Sequence, residues 1–330
     1  AARLAGIRRV AVLVPDRTRK GVTEALWGPV RAALEAAGVA WTVGVATGKH
    51  PPTPQGPPGA WVHDAHDPAL VRVGHTAAGT PVAFPAAVLE ADLRVVLGEI
   101  RPHYFAGWAG GAKGLFPGVA GEAGIWRNHL LKAAPGARLG QVEGNPCRAD
   151  MEAAAALAGP SFIVNLVRGA AGPVHVVAGD PVAAHRAGVA LARPLFEVHS
   201  PRRFPVVVVS DGHPVTASLY QACKLLPPAG ALVAPGGRVV LAAALHEGVG
   251  PVQVINEAIF DLGVRHALPP GVEVWLASTR SAAEIAPTFA RWTPSVEAAL
   301  AGVVGPELAV CPHAGELVPV GTPAPMTGAE

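Results

Sequence analysis

The chain has 330 residues, half of them hydrophobic and 15% charged, and carries a formal net charge of +2. Its Lys and Arg residues are scattered rather than striped, which argues against a nucleic-acid footprint, and no apolar run is long enough to cross a bilayer. Cys147, Cys223 and Cys311 are odd in number and far apart, so they suggest neither a disulfide framework nor a zinc ribbon. A soluble protein of the reducing cytoplasm, without nucleic-acid or membrane partners, is the expectation. Ala1–Gly6 lacks the basic-then-apolar pattern of a signal sequence.

A single core usually stops growing near ~250–300 residues, so two domains are expected. Ile7 to Val14 reads as a strand, because Val10–Val14 is a continuous apolar run. Val22 to Ala37 reads as a helix ending at Gly38, and Val39 to Val45 as the next strand, the pattern of a parallel α/β unit. Pro51 to Pro58 is too rich in proline for helix or central strand and predicts an exposed loop with His50 at its base. Asp92 to Leu97 predicts a buried strand that delivers the chain into the segment 101–121, and ligands in open α/β sheets bind at such carboxyl ends.

The alternation breaks between Arg193 and Pro205, which places the domain boundary at 198/199. Beyond it, strands at Val206–Val209, Arg238–Ala243, Val272–Leu276 and Leu308–Val310 alternate with helices at Thr216–Leu225, Val252–Asp261 and Ala282–Phe289. The expected fold is two α/β domains with mostly parallel sheets, 1–198 and 199–310, with an interdomain active-site cleft.

The most informative segment is Arg101-Pro-His-Tyr-Phe-Ala-Gly-Trp-Ala-Gly-Gly-Ala-Lys-Gly-Leu-Phe-Pro-Gly-Val-Ala-Gly121, followed by Trp126-Arg-Asn-His129. Glycines on both sides of Lys113 let a backbone loop approach a bulky ligand while a basic side chain engages it. A nucleoside-triphosphate phosphate loop needs Gly directly before the lysine and Ser or Thr directly after it. Ala112 and Gly114 stand there instead. A Schiff-base lysine and a plain tight turn with a solvated Lys113 both stay open on these residues alone.

The segment resembles the signature of the nickel-dependent lactate racemase family. His103, Gly107, Gly110, Gly111, Lys113, Pro117, Gly118, Asn128 and His129 fall on its pattern. Asp16-Arg-Thr-Arg19, Thr47-Gly-Lys-His50, Val62-His-Asp64, Ser210-Asp-Gly-His-Pro214, Leu219-Tyr-Gln-Ala-Cys-Lys224, His246-Glu-Gly-Val-Gly250 and Pro312-His-Ala-Gly315 are similar to further family elements, in family order.

The resemblance implies a racemase or epimerase that inverts C2 of a 2-hydroxy acid by reversible hydride transfer to a lysine-tethered nickel-pincer nucleotide, pyridinium-3,5-bisthiocarboxylic acid mononucleotide nickel. By position Lys113 carries the cofactor and His129 ligates the nickel, a metal that accepts sulfur and imidazole donors. His50 and His103 are the two bases, suited to proton traffic in both directions by an ordinary imidazole pKa of about 6.5. Arg19, with Lys224 and Gln221, would grip the substrate carboxylate, and Tyr220 would line the site. Asp16 would bind cofactor hydroxyls or hold Arg19, or simply cap the following helix; Thr18, Gly110 and Gly111 complete the cofactor set. The implied partners are a small 2-hydroxy acid or sugar acid and the enzymes that make the cofactor.

The resemblance also predicts that residues 311–330 rejoin the first domain, and by its measure the N-terminus looks short. Ala109 and Ala112 replace polar family residues, Trp108 a smaller aromatic, and Ala217-Ser218 a more polar pair, so the specificity pocket should differ from that of lactate racemase itself. His175, His185 and His213 read as surface or structural histidines. A lysine Schiff-base enzyme and a non-catalytic nucleotide-binding relative are the competing functions.

Overall fold

The computed structural model describes residues 4–19, 21–52, 56–169, 172–303 and 307–321. Among these residues two compact units emerge: one drawn from 1–101, 108–137 and 141–195, the other from 102–107, 138–140 and 196–330.

The first unit is built on a six-stranded sheet in the order Gly172–Gly179, Ser161–Gly169, Leu93–Ile100, Arg9–Pro15, Ala40–Ala46, Trp61–Val62. All of its pairings are parallel except the outermost one, where Gly172–Gly179 runs antiparallel to Ser161–Gly169. The run Val10–Val14 is buried throughout, as a strand covered on both faces must be. Val10, Val12 and Val14 share one face and pack with Val22, Leu26 and Leu34 of the helix Val22–Ala36. That helix starts after Gly21, at φ 77°, and stops at Gly38, at φ 64°, where the left-handed backbone favours glycine. Parallel pairing places Pro15 opposite Ala46, so the segments that follow, Asp16–Arg19 and Thr47–His50, leave the sheet side by side at its carboxyl edge.

The second unit has a wholly parallel five-stranded sheet in the order Arg291–Thr293, Glu273–Ala277, Val233–Ala242, Phe204–Val209, Leu308–Cys311. Its core gathers Val207, Val209, Leu241 and Leu276 with Leu219, Leu225 and Leu226.

Several expectations change. Leu308–Cys311 pairs with Phe204–Val209, and Val318–Val320 pairs with Glu197–His199, so the described residues after Cys311 stay with the second unit rather than rejoining the first. Residues 322–330 of that expectation lie outside the described set. His103 also goes with the second unit, because its neighbour Tyr104 packs on that unit's core.

The helix expected from Thr216 begins only at Leu219, since the carbonyls of Thr216 and Ala217 are taken by the N–H groups of Leu245 and Glu247. The helix from Ala282 ends at Ile285, two residues before Pro287, and the segment Val254–Asp261 winds as a π-helix. The antiparallel pair Ser161–Gly169 and Gly172–Gly179 lies outside the expected elements, although Phe162–Val164 and Val176–Val177 are typical strand residues. The three cysteines are buried thiols without a disulfide. No helix among the described residues is long and apolar enough to cross a membrane.

Candidate active site

At the carboxyl edge of the first sheet, Asp16 Oδ2 lies 2.6 Å from Nδ1 of His50. The aspartate side chain is 10% exposed and the histidine 46%, so the carboxylate is the anchor and the imidazole the presented group. Asp16 Oδ1 accepts from the backbone N–H of Thr18 at 3.0 Å and from its hydroxyl at 2.5 Å. Burial raises the Asp16 pKa, but the hydrogen bonds from His50 and Thr18 outweigh it and hold the group below the usual carboxylate range. An ionised carboxylate requires the proton on His50 Nδ1, which leaves the lone pair on Nε2. Asp16 therefore serves His50. It is no helix cap, because Gly21 occupies that position.

Arg19 donates to the carbonyl and hydroxyl of Thr18 at 3.4 and 3.3 Å and forms no salt bridge among the described residues. Burial and the neighbouring Arg101 lower its pKa, against the pull of Asp16 and Glu99. Arg168 takes up Glu99 at 3.1 Å. A half-buried guanidinium with a cationic neighbour is poised to receive an anion.

His129 sits in the last turn of the helix Glu122–Leu130. Its Nδ1–H donates to the carbonyl of Ile125 at 2.6 Å, which again puts the lone pair on Nε2. Burial, then the charges of Lys113 and Lys132, push its pKa down to about 3, so the imidazole is neutral. Lys113 is thus brought to His129, with Lys49 adding to the positive field. Asn128, beside it in sequence, is structural: its amide donates to Cys147 O at 3.1 Å and Asp150 Oδ2 at 2.8 Å, tying this helix to Pro146–Ala156.

The loop around Lys113 is a packed object. Gly111 N–H donates to Asn165 Oδ1 at 2.7 Å. A Cβ on Gly110 would stand 2.7 Å from that same oxygen, and one on Gly111 would stand 2.9 Å from the His185 ring. A Cβ on Gly118 would lie 2.0 Å from the carbonyl oxygen of Gly114. Internal packing, rather than ligand approach, accounts for these glycines. Arg148, fully buried, donates to the carbonyls of Trp108 and Gly110, and His185 bonds Ala109 O at 2.9 Å. Sequence reading missed Arg148 and Asn165 as the loop's supports, and neither belongs to a recognisable motif. It kept His185 structural, which its geometry matches. Ala109 and Ala112 are buried within this packing. Gly48 N–H bonds Gly118 O at 2.9 Å, coupling the His50 segment to the Lys113 loop.

In the second unit, Lys224 Nζ donates to Gln221 Oε1 at 2.6 Å and lies 5.0 Å from the centroid of the Tyr220 ring. The short helix Leu219–Ala222 and the 3₁₀ turn Cys223–Leu225 bring the three together. His103 Nδ1 accepts from Ala106 N–H at 3.2 Å, so its proton resides on Nε2, the opposite tautomer to His50. The Ser210–Asp211–Gly212 and Pro312–Gly315 motifs meet structurally: Asp211 Oδ2 accepts from Gly315 N–H at 2.8 Å.

Residues 59–140 match the model of the lactate racemase N-terminal domain. The chain is 32% identical over 193 residues to lactate racemase of Thermoanaerobacterium thermosaccharolyticum, covering 57% of this chain and 45% of that protein. With lactate racemase of Lactiplantibacillus plantarum it shares 32% identity over 187 residues, 56% of this chain and 44% of that one. The matched stretch thus spans less than half the length of either relative. The fold matches the lactate racemase apoprotein from T. thermosaccharolyticum at TM-score 0.85 and 23% identity, over 95% of this chain and 87% of that chain. A structural-genomics crystal structure of a Thermotoga maritima protein matches at TM-score 0.72 and 17% identity, over 96% and 94% of the two chains. The resemblance read from the sequence holds as a similarity: residues 59–140 match the lactate racemase N-terminal domain model, and the chain has the fold of that apoprotein.

Proposed function

We propose that this protein is an isomerase that inverts C2 of a 2-hydroxy acid or related sugar acid in the cytoplasm, using a nickel-pincer nucleotide tethered to Lys113 and supplied by separate maturation enzymes. The observation that carries the reading is the half-buried His129, held neutral beside Lys113 with its Nδ1–H on Ile125 O, in the unit that also holds the Asp16–His50 pair.

The residues fit the group. A metal-binding imidazole ordinarily donates its second N–H to a carbonyl or carboxylate, as His129 does to Ile125 O. Lys113, Lys132 and Lys49 supply a field suited to an anionic nucleotide. When bound, the nucleotide provides a centre that accepts and returns the substrate's C2 hydrogen as hydride. Such a route suits a carbon whose hydrogen is barely acidic.

The chain's own residues do the rest. His50, with Nδ1–H held by Asp16, takes the hydroxyl proton at Nε2 as the C2 hydrogen leaves. His103, in the tautomer with Nε2–H, is the complementary acid, and the two exchange roles in the reverse direction. Arg19 binds the carboxylate through two parallel N–H donors, with Lys224 and Gln221 as further donors and Tyr220 as a lining residue. Thr18, Gly110 and Gly111 belong to the cofactor's surroundings by position, although their visible bonds and contacts are internal. The test is to load the protein with mature cofactor and screen single enantiomers of 2-hydroxy acids by chiral chromatography. Formation of the opposite enantiomer is expected, and failure to invert any such acid when loaded overturns the reading.

A further inference from the structure

His213, His246 and Glu247 each offer a ligand atom, and these atoms all lie within 4.8 Å of one another. The topology brings them together. His213 follows the strand Phe204–Val209, His246 and Glu247 follow Val233–Ala242, and those strands are parallel neighbours with Val209 opposite Leu241. Two backbone bonds then staple the loops: Leu245 N–H to Thr216 O at 3.0 Å and Glu247 N–H to Ala217 O at 2.9 Å.

Leu245, at φ 53°, is the only non-glycine with positive φ among the described residues. Its fully buried side chain and the bond from Arg280 Nε to its carbonyl at 2.8 Å hold that turn. His246 and Glu247 are thereby turned outward. The imidazoles of His213 and His246 stack with centroids 5.3 Å apart and planes 27° from parallel. Arg280, the nearby cation, is occupied by the carbonyls of Leu245 and His246 and by Glu284.

We propose that His213, His246 and Glu247 bind a divalent transition-metal ion of the zinc, cobalt or nickel class, and that this ion clasps the two loops together. Two imidazoles and one carboxylate form a donor set for borderline metals, whereas Mg²⁺ and Ca²⁺ prefer all-oxygen ligands. Bonds of about 2.0–2.1 Å in tetrahedral geometry put ligand atoms about 3.3 Å apart, so exposed side chains reach it by small rotations. A fourth position is left to water. The clasped loops border the helix that carries Tyr220 and Gln221, since a Cβ on Gly250 would stand 3.6 Å from Tyr220 Cβ.

Titration of the chelator-treated full chain with zinc alone, followed by calorimetry, tests the site, with cobalt absorption reporting the ligand field. Wild-type protein and His129→Ala, which lacks the proposed nickel ligand, should each bind zinc with the same affinity at this site. His213→Asn and His246→Asn should each weaken it by at least about tenfold. Zinc should also raise the melting midpoint of wild-type protein but not of those two variants. Absence of binding by wild-type protein, or wild-type affinity in either variant, overturns the proposal. The readout uses no turnover, so it stands or falls separately from the racemase reading.

Discussion

Asp16 holds His50 through a 2.6 Å bond between a largely buried carboxylate and a half-exposed imidazole, and this one contact sets which nitrogen of His50 can accept a proton. It exists because Pro15 and Ala46 are opposite one another in register at the end of adjacent parallel strands.

Asp16→Asn keeps the shape but removes the charge that secures the Nδ1–H tautomer. Turnover of the loaded enzyme should fall by about a hundredfold, within the usual range for acid–base catalysis. Nitrogen NMR shifts of the His50 ring should show mixed tautomers. Unchanged tautomer and turnover would detach Asp16 from the proton step.

Arg19→Lys should raise KM and lower kcat/KM by at least about tenfold, because an ammonium cannot reproduce a planar two-point grip on a carboxylate. Steady-state kinetics on each enantiomer checks this. Wild-type kinetics in the variant would show that Arg19 is not the carboxylate clamp.

Lys113→Ala should abolish the covalent adduct, whereas His129→Ala should keep the nucleotide and lose nickel. The first change removes an anchoring bond and the second a metal ligand. Intact mass spectrometry and metal analysis separate the two outcomes. An adduct that persists in Lys113→Ala would misplace the site.

Stability should depend on pH through three histidines of the first unit. Burial lowers the pKa of His63, His129 and His185, His129 to about 3. Below the ordinary value of about 6.5 the unfolded chain binds protons that the folded chain refuses, so stability falls as pH drops through that window. Asp16 has a depressed carboxylate pKa and adds a loss of the same sign only at more acid pH, near and below the ordinary carboxylate value of 3.8. The urea midpoint of the unit's transition should therefore decline from pH 7 to pH 5. A midpoint that is flat or rises over that range contradicts the assignment of neutral imidazoles at these three positions.

Much of this arrangement was legible in the sequence. Val10–Val14 announced a doubly covered strand by its uninterrupted apolar run, and the order of His103, Lys113 and His129 carried the resemblance on which the proposed cofactor site rests. Less legible were relations that only folding creates. Asp16 and His50 are 34 residues apart and meet only through strand register. Arg148 and Asn165 support the Lys113 loop from a helix and a strand whose own sequences carry no motif. The glycines at 110 and 111 read as openings for a ligand, yet the space beside them is filled by Asn165 and His185. The late start at Leu219 follows from carbonyls taken by a distant loop, which local periodicity does not encode.

The central claim is that C2 is inverted by hydride transfer with protons handled by the two histidines. Its most direct test is to load the enzyme with cofactor, give it a single enantiomer of a convertible 2-hydroxy acid deuterated at C2, and analyse the product by chiral chromatography with mass detection. Hydride transfer returns the same hydrogen, so the opposite enantiomer should form with its deuterium retained in ordinary water. Inversion with deuterium washed out to solvent would mean proton abstraction at C2 and would contradict the account.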